Sequence, residues 1–133
     1  MTRKMAREEA FILIFEKAFN DSSVEEILEL AADVRELKPD DYIETVFKGV
    51  FSNVDDIDSL ISQNAVGWKI ERISKTALSV LRLAIYEIKY MDDIPEAVSI
   101  NEAVELCKKY GGEDDFAYLN GVLGTVVKSV CGE

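Results

Sequence analysis

The chain has 133 residues, of which 48% are hydrophobic and 31% charged, a length and composition that fit one globular, water-soluble domain rather than a disordered or fibrous chain. Its formal net charge is −11, with 26 acidic residues against 15 basic ones, so the body of the protein repels nucleic acid and suits a basic partner. The absence of histidine removes the commonest general base and metal ligand, and the only two cysteines, Cys107 and Cys131, lack zinc-site spacing. A disulfide is possible on count, but they are expected to be buried, reduced thiols, in the cytoplasm, since neither a signal peptide nor an apolar run of membrane-spanning length is found.

In chain order, the periodicity is helical throughout. The chain opens on Arg3, Lys4 and Arg7, with no acidic residue before Glu8. Phe11, Ile14, Phe15, Ala18 and Phe19 then trace one face of a first helix, which breaks at Asn20-Asp21-Ser22. Ser23 and Glu26 have the spacing of a capping box, and Ile27, Ala31 and Val34 mark a second helix. After the break "LKPDD", with Pro39 suited to a first helical turn, one long helix is predicted with Ile43, Val46, Phe47, Val50, Val54, Ile57 and Ile61 on its buried face. Gly49 inside it is expected to cost about 1 kcal/mol relative to alanine.

"NAVGWKIERIS" reads as an irregular connection around Gly67. The following helix carries Ala77, Val80, Leu81, Ala84, Ile85 and Ile88, with Leu78 and Leu83 off that stripe, so it is expected to be buried on more than one side. Pro95 reads as its stop. A short helix bearing Ile100, Ala103, Val104 and Cys107 comes next, with Lys108 and Lys109 near its end and Gly111-Gly112 as its C-cap. Glu113, Asp114 and Asp115 begin the last helix, whose stripe is Phe116, Leu119, Leu123, Val126, Val127 and Val130. With no β-alternation and no internal repeat, the expected fold is all-α, a single domain of six to seven helices spanning 1–133.

The candidate sites each have a structural alternative. Gly121 and Gly124 suit close helix packing better than a ligand approach. "GGED" lacks the Lys and Ser/Thr of a phosphate-binding loop and reads as a helix end followed by a helix start. The paired carboxylates Asp40-Asp41, Asp55-Asp56, Asp92-Asp93 and Asp114-Asp115 read as solvated groups at helix starts and loops, so no catalytic residue or enzyme activity is expected. Trp68, Tyr86 and Tyr90 suit the core or its rim. Tyr118 points off the stripe of its helix, and either anchors a base or partner or is exposed without a contact.

Arg3, Lys4 and Arg7 share one face if the first helix reaches that far. They form either a solubilising tail or an anion contact. Cations at a helix N-terminus oppose the dipole, yet the free N–H groups there attract anions, which favours a phosphate contact. Three such contacts beside a body of −14 (12 basic residues left against 26 acidic) are too few to hold RNA tightly.

The blocks L-R-L-A-I-Y-E at 81–87, D-D-I-P at 92–95, I-N-E-A-V-E-L at 100–106, G-G-E-D at 111–114 and L-N-G-V-L at 119–123 closely resemble the NusB family of bacterial transcription antitermination factors. A basic start, A-R-E-x-A-F and "WKIERI" at 68–73 extend the likeness over the chain. The resemblance implies two packed helical bundles that bind boxA RNA of rRNA operon transcripts with NusE, a basic ribosomal small-subunit protein, in an RNA polymerase complex with NusA and NusG. It implies no cofactor and no metal. Some relatives form homodimers, and NusB-like domains also occur fused to RNA methyltransferases, for which 133 residues leave no room. On this basis the RNA-binding residues are Arg3, Lys4, Arg7, Asp114 and Tyr118. Met5, Thr76 and Ala117 stand where relatives often carry charge, so RNA is expected to bind weakly without NusE. The alternative is a protein–protein adaptor or homodimeric module with weak or lost RNA binding.

Overall fold

A computed structural model describes residues 1–131 apart from 66 and 68, with the backbone but not the side chains of 113, 114 and 116–118. The described residues form seven α-helices and one 3-10 turn, without a strand. These are α1 (Arg3–Lys17), α2 (Val24–Val34), α3 (Asp41–Ser52), α4 (Val54–Asn64), the 3-10 turn Ile70–Arg72, α5 (Lys75–Tyr90), α6 (Glu96–Tyr110) and α7 (Glu113–Cys131).

Most of the helix starts follow from side-chain chemistry. Thr2 caps α1 by accepting from the Met5 N–H at 3.1 Å. Ser23 and Glu26 complete the expected capping box of α2, and Ser74 caps α5 through the Ala77 N–H. Asp40, rather than Pro39, begins α3, because its carboxylate accepts from the Ile43 N–H at 3.0 Å and a proline side chain has no acceptor to offer.

The single long helix predicted through Ile61 is two helices. Asn53 leaves the helical conformation (φ −120°, ψ 20°), and its side-chain amide donates to the Gly49 carbonyl at 2.8 Å, closing α3. Ile57 and Ile61 still reach the core from α4. Pro95 starts α6 rather than stopping α5, which ends earlier at Tyr90, and the predicted short helix runs for 15 residues. At Gly111 the backbone is extended (φ −104°, ψ −174°), not left-handed. Its need is space, since a Cβ there would lie 2.9 Å from the Cys107 carbonyl oxygen and 3.0 Å from Asp115 Oδ2. Gly121 and Gly124 do not mark a close helix contact, because a Cβ at either would meet nothing within 4 Å.

Helix α5 is the centre of the molecule. It packs against α1, α3, α4, α6 and α7, which is why residues on several of its sides are buried. Helices α1, α2 and α3 pack on one another as the first bundle, and α4, α6 and α7 gather with α5 as the second. One continuous apolar core runs through both, with Phe47, Leu13, Ile14, Leu81, Ile85, Leu119 and Leu123 among its fully buried side chains. Cys107 is a buried free thiol as expected, whereas the thiol of Cys131, in the last turn of α7, is exposed. Trp68 and Phe116, assigned to the core or its rim from sequence, lie outside the described side chains.

Gly49 is required by packing. The ring of Tyr86 on α5 lies against its backbone, and a Cβ there would fall 2.3 Å from Tyr86 Cε2 and 2.5 Å from its hydroxyl. Gly49→Ala is expected to lower stability by about 1–3 kcal/mol, the usual cost of overpacking, despite alanine's better helix propensity. Urea unfolding checks this, and adding Tyr86→Ala should shrink the effect by removing the clash.

Candidate nucleic-acid interface

The first turn of α1 places its three cations differently. Arg3 and Lys4 are exposed. The guanidinium carbon of Arg3 sits 4.7 Å from the centre of the Tyr42 ring, within cation–π range. Lys4 Nζ lies 3.1 Å from Glu102 Oε2 on α6, with 68% of the lysine side chain exposed. Arg7, four residues after Arg3, is turned inward and only 4% exposed. The three therefore do not present one common solvent face.

Arg7 instead enters a buried polar network centred on Glu87 of α5. Its Nε donates to Glu87 Oε2 at 2.7 Å and one terminal nitrogen to Oε1 at 3.3 Å. Tyr42 of α3 donates its hydroxyl to the same Oε2, and Ser99 of α6 donates to Oε1 at 2.8 Å. The two Glu87 oxygens thus accept from three other helices. Burial alone pulls the Arg7 guanidinium down, but hydrogen bonding and charge from Glu87 leave it above its ordinary value. Burial first, and then Glu87, pushes the Tyr42 phenol well above the usual tyrosine range.

Beside this network, α1 and α6 enclose a cleft of about 160 Å³ lined by Lys4, Arg7, Glu8, Glu102, Glu105, Leu106 and Lys109. Glu8 accepts from Lys109 Nζ at 2.6 Å and from the Tyr110 hydroxyl. Those two hydrogen bonds hold the Glu8 carboxyl below its ordinary range. A second groove, of about 380 Å³, runs past Arg3 and is lined also by Thr2, Asp40, Asp41 and Tyr42. Asp114 and Tyr118, the other two RNA-contact expectations, have side chains outside the described residues, although the α7 backbone that carries them follows directly on the end of α6. Neighbouring Asp115 accepts from the Gly112 N–H at 3.2 Å and ties down that turn.

Sequence reasoning missed Glu87, Tyr42, Ser99 and Glu102. Glu87 did carry a signal: it follows Val80, Leu83 and Ala84 at helical spacing, on a side of the helix made apolar by Leu83, where a lone carboxylate calls for a buried cation.

The NusB family model matches residues 4–128. The chain belongs to the NusB family. A transcription antitermination protein NusB from Clostridium botulinum (strain Loch Maree / Type A3) is 43% identical, over 96% of this chain and 100% of its own length. The T. maritima NusB structure superposes with a TM-score of 0.84 at 33% identity, over 96% of this chain and 92% of that one. A crystal structure of antitermination factors NusB and NusE in complex with dsRNA shares the fold, with a TM-score of 0.85 at 24% identity over 96% of each chain. The all-α, two-bundle architecture expected from the resemblance is the one observed. No helix among the described residues is long and apolar enough to cross a membrane.

Replacing Glu87 with glutamine leaves a buried guanidinium without its counter-charge. Glu87→Gln is expected to cost about 3–5 kcal/mol in urea unfolding, and Arg7→Met with Glu87→Gln less than the sum of the single changes. Alkaline pH should weaken the fold as well. The Cys107 thiol is raised to about 11, chiefly by burial and then by Asp115, and Tyr42 is raised too. Both groups deprotonate first in the unfolded chain, so their contribution is complete below about pH 8.5 and falls as pH rises. Urea midpoints at pH 7 and pH 10.5 should show that loss, with a smaller one in Tyr42→Phe.

Proposed function

We propose that this chain acts as a transcription antitermination factor that binds boxA RNA of rRNA operon transcripts together with NusE, in the cytoplasm, within an RNA polymerase complex that includes NusA and NusG. The observation that carries the reading is the family match across residues 4–128, joined to a curated relative named for transcription antitermination whose whole length aligns. The role is binding rather than catalysis. The acidic body, at −11 overall, suits a basic protein partner such as NusE far better than RNA.

Within this reading, Arg3 and Lys4 meet RNA phosphates, while Asp114 and Tyr118 shape the neighbouring edge and contact a base or sugar. Arg7 supports that edge from below by fixing the first turns of α1 on Glu87. Three observations favour a second reading, an adaptor or homodimer with weak RNA binding. Arg7 is committed to the interior, Lys4 is ion-paired, and Asp40 and Asp41 line the groove beside Arg3. Each reduces the positive charge offered to RNA.

Titration of boxA and scrambled RNA, with and without NusE, separates the two readings. Antitermination predicts weak boxA binding alone and much tighter binding with NusE. No gain from NusE and no preference for boxA would leave the adaptor. Arg3→Ala with Lys4→Ala should weaken RNA binding and lower the log–log salt slope by about 1.4, some 0.7 per lost contact. Unchanged affinity and slope would remove this end of α1 from the RNA site.

A further inference from the structure

The α1–α6 cleft is lined by three cations, Lys4, Arg7 and Lys109, and by three carboxylates, Glu8, Glu102 and Glu105. An edge built for RNA would be expected to show an excess of positive charge, yet here the opposing groups balance. Glu8 is occupied at one end of the cleft by Lys109 and Tyr110. Glu102 is placed otherwise, reaching an exposed and a buried cation with different oxygens. Its Oε2 is 3.1 Å from Lys4 Nζ, and its Oε1 is 3.9 Å from Arg7 NH1.

We propose that Glu102 is a built-in counterion of Lys4, displaced by an RNA phosphate when the chain binds RNA and retained in the cleft by Arg7. This rests on the RNA-binding reading above and deepens it. A phosphate and the Glu102 carboxylate compete for the same ammonium protons. Because 68% of the Lys4 side chain is exposed, the pair is a weak one in water and opens readily. The displaced carboxylate keeps Arg7 NH1 within reach, so Glu102 is not left without a cation. Lys4 is thereby withheld from stray monovalent anions and released to a phosphodiester chain that other contacts hold in place. The cost of displacing Glu102 falls on any phosphate alike, so it lowers the affinity of this contact and leaves sequence readout to others.

The test titrates a boxA RNA oligonucleotide into the full chain and its variants, with thermal melting to confirm that each is folded. Glu102→Gln should tighten binding about two- to fivefold, the range that corresponds to an exposed ion pair. Glu105→Gln removes the same charge from the same cleft without touching Lys4, and should change affinity less. The gain from Glu102→Gln should disappear in a Lys4→Met background. Equal gains at Glu102 and Glu105, or a gain that survives Lys4→Met, would mean a general field effect and overturn the proposal. So would weaker binding by Glu102→Gln, which would make Glu102 a support that positions Lys4. If neither wild type nor variant binds boxA RNA, with or without NusE, the RNA reading itself fails and takes this inference with it.

Discussion

The contact between Arg7 and Glu87 is the constraint around which the other helices are arranged. A charge on each of two helices is removed from water, and an unpaired ion in that setting costs several kcal/mol. The fold answers by filling the acceptor sites of one carboxylate from α1, α3 and α6. Apolar packing alone would tolerate small slips between these helices, whereas hydrogen bonds to a shared carboxylate do not. The network therefore sets where the first turn of α1 stands relative to α6, and with it the spacing of Lys4 from Glu102.

That placement explains the balance of charge on this side of the molecule. The chain carries a large negative excess, and Lys4, Arg7, Arg35, Arg82, Lys89 and Lys109 are each engaged by a neighbouring acid. Two Lys-Tyr pairs show the same device at different places. Lys89 and Tyr90, at the end of α5, both donate to Asp56 of α4, and Lys109 and Tyr110, at the end of α6, both donate to Glu8 of α1. In each, the last two residues of a helix hold a carboxylate on a neighbour, where cations also suit the negative end of the helix dipole. On the proposed reading, a basic partner such as NusE supplies the positive charge that this arrangement withholds from RNA.

Much of the fold was legible in the sequence because helical periodicity and caps act locally. Phe11, Ile14 and Phe15 on α1, the capping box of α2 and the multiply buried α5 all rest on residues within a few turns of one another, whereas Phe19, assigned to the α1 stripe, lies past the helix end and is exposed. What was lost depended on contacts distant in sequence or on competition between two plausible local choices. Pro39 and Pro95 are both compatible with a helix start and with a stop, and only Asp40 or the course of α5 decides between them. Asn53 breaks a continuous apolar stripe that gives no warning. Gly49 looked like a flaw in α3 because Tyr86, which needs the space, is 37 residues away. The site followed the same rule: a basic start was visible, but the turning inward of Arg7 depends on Glu87, 80 residues on.

The contact at Gly49 also has a mechanical meaning. Tyr42 and Gly49 are seven residues apart on α3, about 10.5 Å along its axis, and both meet adjacent residues of α5, Glu87 and Tyr86. One attachment is a hydrogen bond and the other a ring laid on bare backbone. A rod held at two such points can neither slide nor pivot about either one. Helix α3 is thus a fixed post, and Arg3 rests on the face of Tyr42 at one end of it. On the proposed reading, any adjustment to RNA falls to the exposed side chains of Arg3 and Lys4, while the frame behind them keeps its shape.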